Sequence, residues 1–71
     1  MANFINEQFI IDFPIPVALQ ESVELAEFAD KNNDYVTYIT YAENIEVLAK
    51  NCYSCGKITK KMWNIISNRF A

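Results

Sequence analysis

The sequence predicts an all-α fold: a small three-helix domain over about 16–32, 35–53 and 59–70, preceded by an N-terminal arm, extended or short helical. Three observations lead there. Apolar residues recur with a helical period in three successive segments. The junctions carry residues that stop and start helices, Asn32-Asn33-Asp34 and Gly56 with Thr59. Finally, 71 residues that are 52% hydrophobic, with one glycine and no composition shift, read as one domain over 1–71 without a linker.

The arm comes first. In "FINEQFIIDFPI", Ile5, Phe9, Ile11, Phe13 and Ile15 alternate with the polar Asn6, Gln8 and Asp12. Near-alternation fits an extended stretch with one buried face. Asn3 could instead cap a short helix running to Ile11. Pro14 and Pro16 end either form, because proline cannot continue a regular element and restrains the residue before it. Residues 1–15 are therefore an arm that packs on the bundle or on a partner subunit.

Pro16 suits the opening of the first helix. At 100° per residue Ala18, Leu19, Ser22, Val23, Leu25, Ala26 and Ala29 share one side, and Gln20, Glu21, Glu24, Glu27 and Lys31 the other. Val17 and Phe28 are apolar exceptions that project toward the acidic side. Asn32 and Asn33 then supply a turn, and Asp34 an N-cap.

The segment "YVTYITY" sets propensity against period. Its β-branched and aromatic residues favour a strand. Yet Tyr35, Tyr38, Ile39, Tyr41, Ala42, Ile45, Leu48, Ala49, Cys52 and Tyr53 fall within one half of a helical wheel, while a strand would put Tyr35 and Tyr38 on opposite faces. A pattern sustained from 35 to 53 outweighs seven residues of local preference, so one helix about 28 Å long is expected. The tyrosines then form the amphipathic rim of a core, with hydroxyls reaching water.

Gly56 is suited to end that helix in a C-terminal cap. Thr59 caps the next, with Ile58 and Trp63 spaced as a hydrophobic staple. Met62, Trp63, Ile65, Ile66 and Phe70 make its apolar side, and Lys60, Lys61, Asn64, Ser67 and Asn68 its polar side. The resulting helical hairpin is expected to pack against the first helix.

Charge is segregated along the chain. All nine acids lie between Glu7 and Glu46 and are opposed there only by Lys31, a balance of −8. Lys50, Lys57, Lys60, Lys61 and Arg69 follow with no acid, a balance of +5. Such a chain can pair its halves internally, associate head to tail, or offer a basic face to a polyanion.

Function is read mainly by exclusion. No histidine is present, which removes the commonest general base near neutral pH. There is no glycine-rich phosphate loop and no nucleophile elbow. No catalysis, no cofactor and no membrane span are expected, and a cytoplasmic setting is the default. Cys52 and Cys55 form a lone CxxC. Tetrahedral zinc needs four ligands, so these two would have to be shared across chains. At a helix C-terminus the dipole also opposes thiolate formation.

The leading expectation is a non-enzymatic protein–protein interaction module that associates with another copy of itself. Phe9 and Phe13 from the arm, with Phe28 and Tyr41, are its candidate contacts, since apolar residues among charges mark contact surfaces. The alternative is a nucleic-acid-binding regulator resembling a helix-turn-helix. It would offer Lys60, Lys61, Asn64, Ser67 and Asn68 to a groove, with Lys57 on phosphate. The net charge of −3 weighs against that alternative.

Overall fold

The structure is a computed structural model that describes residues 4–71. Three helices follow the arm: α1 (Val17–Lys31), α2 (Tyr35–Ser54) and α3 (Lys60–Arg69). Each lies within a residue of its expected bounds. Helix α2 is the central rod. It packs against α1 on one flank and α3 on the other, whereas α1 and α3 do not pack on one another. The hairpin thus packs on the first helix through α2, with α3 adding only the Arg69–Glu27 ion pair, a narrower contact than expected. The molecule measures 35 × 21 × 16 Å, the long dimension set by the 20 residues of α2 at about 1.5 Å each.

The helix ends explain why the chain turns where it does. At the end of α1, the Asn33 amide donates to the Asp30 carbonyl and the Asp34 amide to the Ala29 carbonyl. That is the paired Schellman arrangement, and it puts Asn33 in the left-handed region at φ 56°. Asp34 next starts α2, its carboxylate accepting from the Thr37 amide at 3.2 Å and the Thr37 hydroxyl at 2.7 Å. Helix α2 ends in the same way. The Gly56 amide donates to Tyr53 and the Lys57 amide to Cys52, with Gly56 at φ 76°. Thr59 caps α3, its hydroxyl accepting from the Met62 amide while its own amide donates to the Met62 sulfur. Pro16 occupies the cap position of α1, one place before its first helical residue.

The core is built from Leu19, Val23, Ala26 and Ala29 of α1, Tyr38, Ala42, Ile45, Ala49 and Cys52 of α2, and Ile66 of α3. Ile5, Ile58 and Phe70 join it from outside the helices. Four buried alanines, Ala26 and Ala29 of α1 and Ala42 and Ala49 of α2, allow tight helix approach. Ala18, expected on the buried side of α1, is exposed, whereas its neighbour Leu19 is fully buried. Tyr38 also departs from expectation. It is 1% exposed, and its hydroxyl donates to the Phe4 carbonyl at 3.3 Å instead of reaching water.

The arm takes the non-helical form. It makes no helix and no strand among the described residues, and it turns at Asn6–Phe9, where the Phe9 amide donates to the Asn6 carbonyl. Asn3, the alternative cap, lies outside the described residues. The turn breaks the simple alternation: Ile5 is buried, Phe9, Ile11, Phe13 and Ile15 are half-buried, and Phe4, of opposite parity to Ile5, also packs on the core. Two side chains hold the arm. The Asp30 carboxylate accepts from the Phe4 amide at 2.7 Å and the Ile5 amide at 3.3 Å. Arg69 donates to the Phe9 carbonyl at 2.9 Å and to Glu27 at 3.3 Å, and its own carbonyl accepts from the Asn6 amide. The arm and Arg69 thereby link α1 to α3.

Candidate protein-docking groove

Because α1 and α3 occupy separate flanks of α2, Ile39 of the apolar arc of α2 stays half-buried beside α3, whereas Ala42 and Ile45 are covered. A groove of about 540 Å³ lies there. Ile39, Ala42 and Ile45 of α2 face Trp63, Ile66 and Phe70 across its floor. Glu43, Glu46 and Lys50, all exposed, stand along the α2 rim, and the half-buried Ser67 belongs to the α3 side. The Tyr53 ring stacks on Trp63 with centroids 4.8 Å apart and planes 20° apart, beside the Lys50 end of the groove. Two other depressions, of about 450 and 380 Å³, flank the arm near Pro14–Ala18 and Ile11–Ile15.

The four contact residues read from the sequence do not all lie on open surface. Phe13 and Tyr41 pack against the chain's own core. Phe9 is half-buried, and its carbonyl is held by Arg69. Phe28 alone stands well out, at 66% exposure, on the outer side of α1. Val17 at 83%, Val36 at 75%, Ile10 at 66% and Val47 at 60% are the other large apolar side chains most open to solvent.

The basic set is displayed as expected. Lys57 is exposed in the turn after Gly56, and Lys60, Lys61, Asn64 and Asn68 are exposed on α3 within an arc of about 100°. The Asn68 amide donates to the Asn64 carbonyl at 2.8 Å, so that side chain lies back on its own helix. The cysteines part company. Cys52 is buried in the core and Cys55 is exposed at the helix end. Among the described residues no group of three or more His, Cys, Asp or Glu side chains is placed to hold a metal ion.

Sequence reasoning missed the groove. The wide apolar arc of α2 leaves Ile39 half-buried at the groove's edge, beside Ala42 and Ile45, which the core covers. Arg69 and Asp30 were missed as positioning residues because their partners lie 25 to 60 residues away. Comparison with protein-family models, curated proteins and solved structures finds no match. No helix among the described residues is long and apolar enough to cross a membrane.

Proposed function

We propose that this chain is a non-enzymatic protein–protein interaction module and that the α2–α3 groove is its contact surface. One observation carries the reading: a charge-rimmed groove between two helices, in which the half-buried Ile39 and Trp63 stand above a floor formed by the core side chains Ala42, Ile45, Ile66 and Phe70. A groove between two helices takes a third amphipathic segment by the same packing that builds helical bundles. The absence of histidine supports the non-enzymatic part.

The test is capture from nuclease-treated native lysate by the wild-type chain and by Ser67→Arg, which places a long cation in the groove without touching the core. A protein retained by the wild type and lost with Ser67→Arg supports the reading. Equal capture by both, or capture abolished by the nuclease, overturns it. A second copy is one partner to examine, because the acidic outer side of α1 complements the lysines of α3. Light scattering at high micromolar concentration decides it: a dimer supports self-association and a strict monomer removes it.

The nucleic-acid reading keeps one specific observation, the solvent-exposed arc of Lys60, Lys61, Asn64 and Asn68 with Lys57 beside it. Duplex binding that weakens with salt and is lost in Lys60→Glu/Lys61→Glu would favour it. The absence of such binding removes it.

A further inference from the structure

We infer that the α2–α3 groove selects a helical protein segment of defined charge polarity, acidic at its first turn and basic at its last, lying antiparallel to α2. The inference rests on the groove being a docking surface and adds the chemistry and direction of what docks. The floor supplies no direction, because apolar packing is indifferent to polarity. Direction comes from the rim. Glu43 and Glu46 stand toward the Ile39 and Phe70 end, whereas Lys50 stands at the Trp63 end. From Ile39 to Lys50 the groove follows eleven helical steps, about 16 Å, which matches an occupant of about twelve residues. Such an occupant would set apolar side chains at i, i+4 and i+7 into the floor and charges along the rim.

Two electrostatic effects agree on one orientation. Opposite charges across the rim place basic residues of the occupant against Glu43 and Glu46 and an acidic one against Lys50. A helix is itself stabilised by acids in its first turn and bases in its last. Both conditions are met together only when the occupant starts at Lys50 and ends at Glu43. An occupant running the other way would have to satisfy the rim with charges that oppose its own dipole.

The burial of this chain's own helices argues for a different protein over a second copy in this groove. The amphipathic helices of this chain already bury their apolar sides in its own core.

The experiment uses two synthetic peptides of about twelve residues with identical leucines at i, i+4 and i+7 and no tryptophan. One carries glutamates in its first turn and lysines in its last; the other has these charges exchanged. Trp63 is the sole tryptophan of the chain and lines the groove, so its emission reports occupancy without a label. The matched peptide should bind the wild type about tenfold more tightly than the exchanged one at low salt, the difference shrinking as salt rises. In Glu43→Lys/Glu46→Lys the preference should reverse, and circular dichroism should show unchanged helicity because both residues are exposed. Equal binding of the two peptides to the wild type leaves the docking surface standing and overturns charge selection. Failure of both peptides to shift Trp63 at about 1 mM overturns the groove as a docking surface and this inference with it.

Discussion

Replacing Asp30 with alanine should loosen the arm, and the size of the effect can be worked from two opposed contributions. Asp30 stands in the last turn of α1, where the helix dipole disfavours an acid by about 0.3–1 kcal/mol. Its carboxylate also accepts the Phe4 amide at 2.7 Å and the Ile5 amide at 3.3 Å, and Ile5 is itself buried. A hydrogen bond to a charged group contributes about 1.5–3 kcal/mol, the longer and partly solvated one less. The bonds therefore win, and Asp30→Ala should cost about 2 kcal/mol net. For a domain whose core supplies about 3–5 kcal/mol, that is a large share. The melting temperature should fall by about 8–16 °C, read by circular dichroism at 222 nm. Asp30→Asn keeps a neutral acceptor and should lose about 1 kcal/mol. Amide exchange at Phe4 and Ile5 should become fast, beyond what the global loss imposes on Ile45 and Ala49. A stability change below about 0.5 kcal/mol, with unaltered exchange at Phe4 and Ile5, would refute the assignment of Asp30 as the anchor.

Other consequences follow from the same geometry. Burial, reinforced by the nearby Asp30, raises the Tyr38 phenol above the ordinary tyrosine value. Its contribution is thus present at neutral pH and lost as pH climbs past the ordinary value, about 10, and through the folded one. Tyr38→Phe should remove that alkaline loss in pH-dependent melts and cost less than about 1 kcal/mol at neutral pH, because the hydroxyl bond to Phe4 is 3.3 Å long. Asp34 shows the opposite sign: hydrogen bonds from the Thr37 hydroxyl and amide hold its carboxyl below the ordinary aspartate value. Its contribution is present above about pH 4 and fades as pH falls through the folded value, so Asp34→Ala should flatten the acid limb of the stability profile. Gly56→Ala should cost about 1 kcal/mol in denaturant melts, arising from backbone strain at φ 76° alone, since a Cβ there meets nothing within 4 Å.

How much of this was legible depends on the range of the cause. Helix α2 could be read because its apolar spacing persists from Tyr35 to Tyr53, long enough to override the strand preference of "YVTYITY". The caps could be read because Asn33, Asp34, Gly56 and Thr59 act within five residues of themselves. The arm could be placed but not drawn. Its turn at Asn6–Phe9 is locked by Arg69, sixty residues away at the Phe9 carbonyl, and nothing in the local pattern announces that bond. Tyr38 was misplaced for a related reason. A tyrosine on the core-facing side of a helix reaches water unless something covers it, and what covers it is the arm, whose Phe4 ring lies 5.2 Å from the Tyr38 ring. The groove could not be placed from the sequence, because its position required knowing that α3 packs beside α2 and away from α1.

The central claim is that the open face between α2 and α3 is where a protein segment docks, and the most direct measurement is residue-resolved. A ¹⁵N-labelled sample titrated with the matched peptide should show amide shift changes concentrated at Ile39, Ala42, Glu43, Ile45, Trp63 and Ile66, with Phe28 and the lysines of α3 undisturbed. Shift changes centred on Lys60, Lys61 and Asn64, or scattered without a focus, would contradict it.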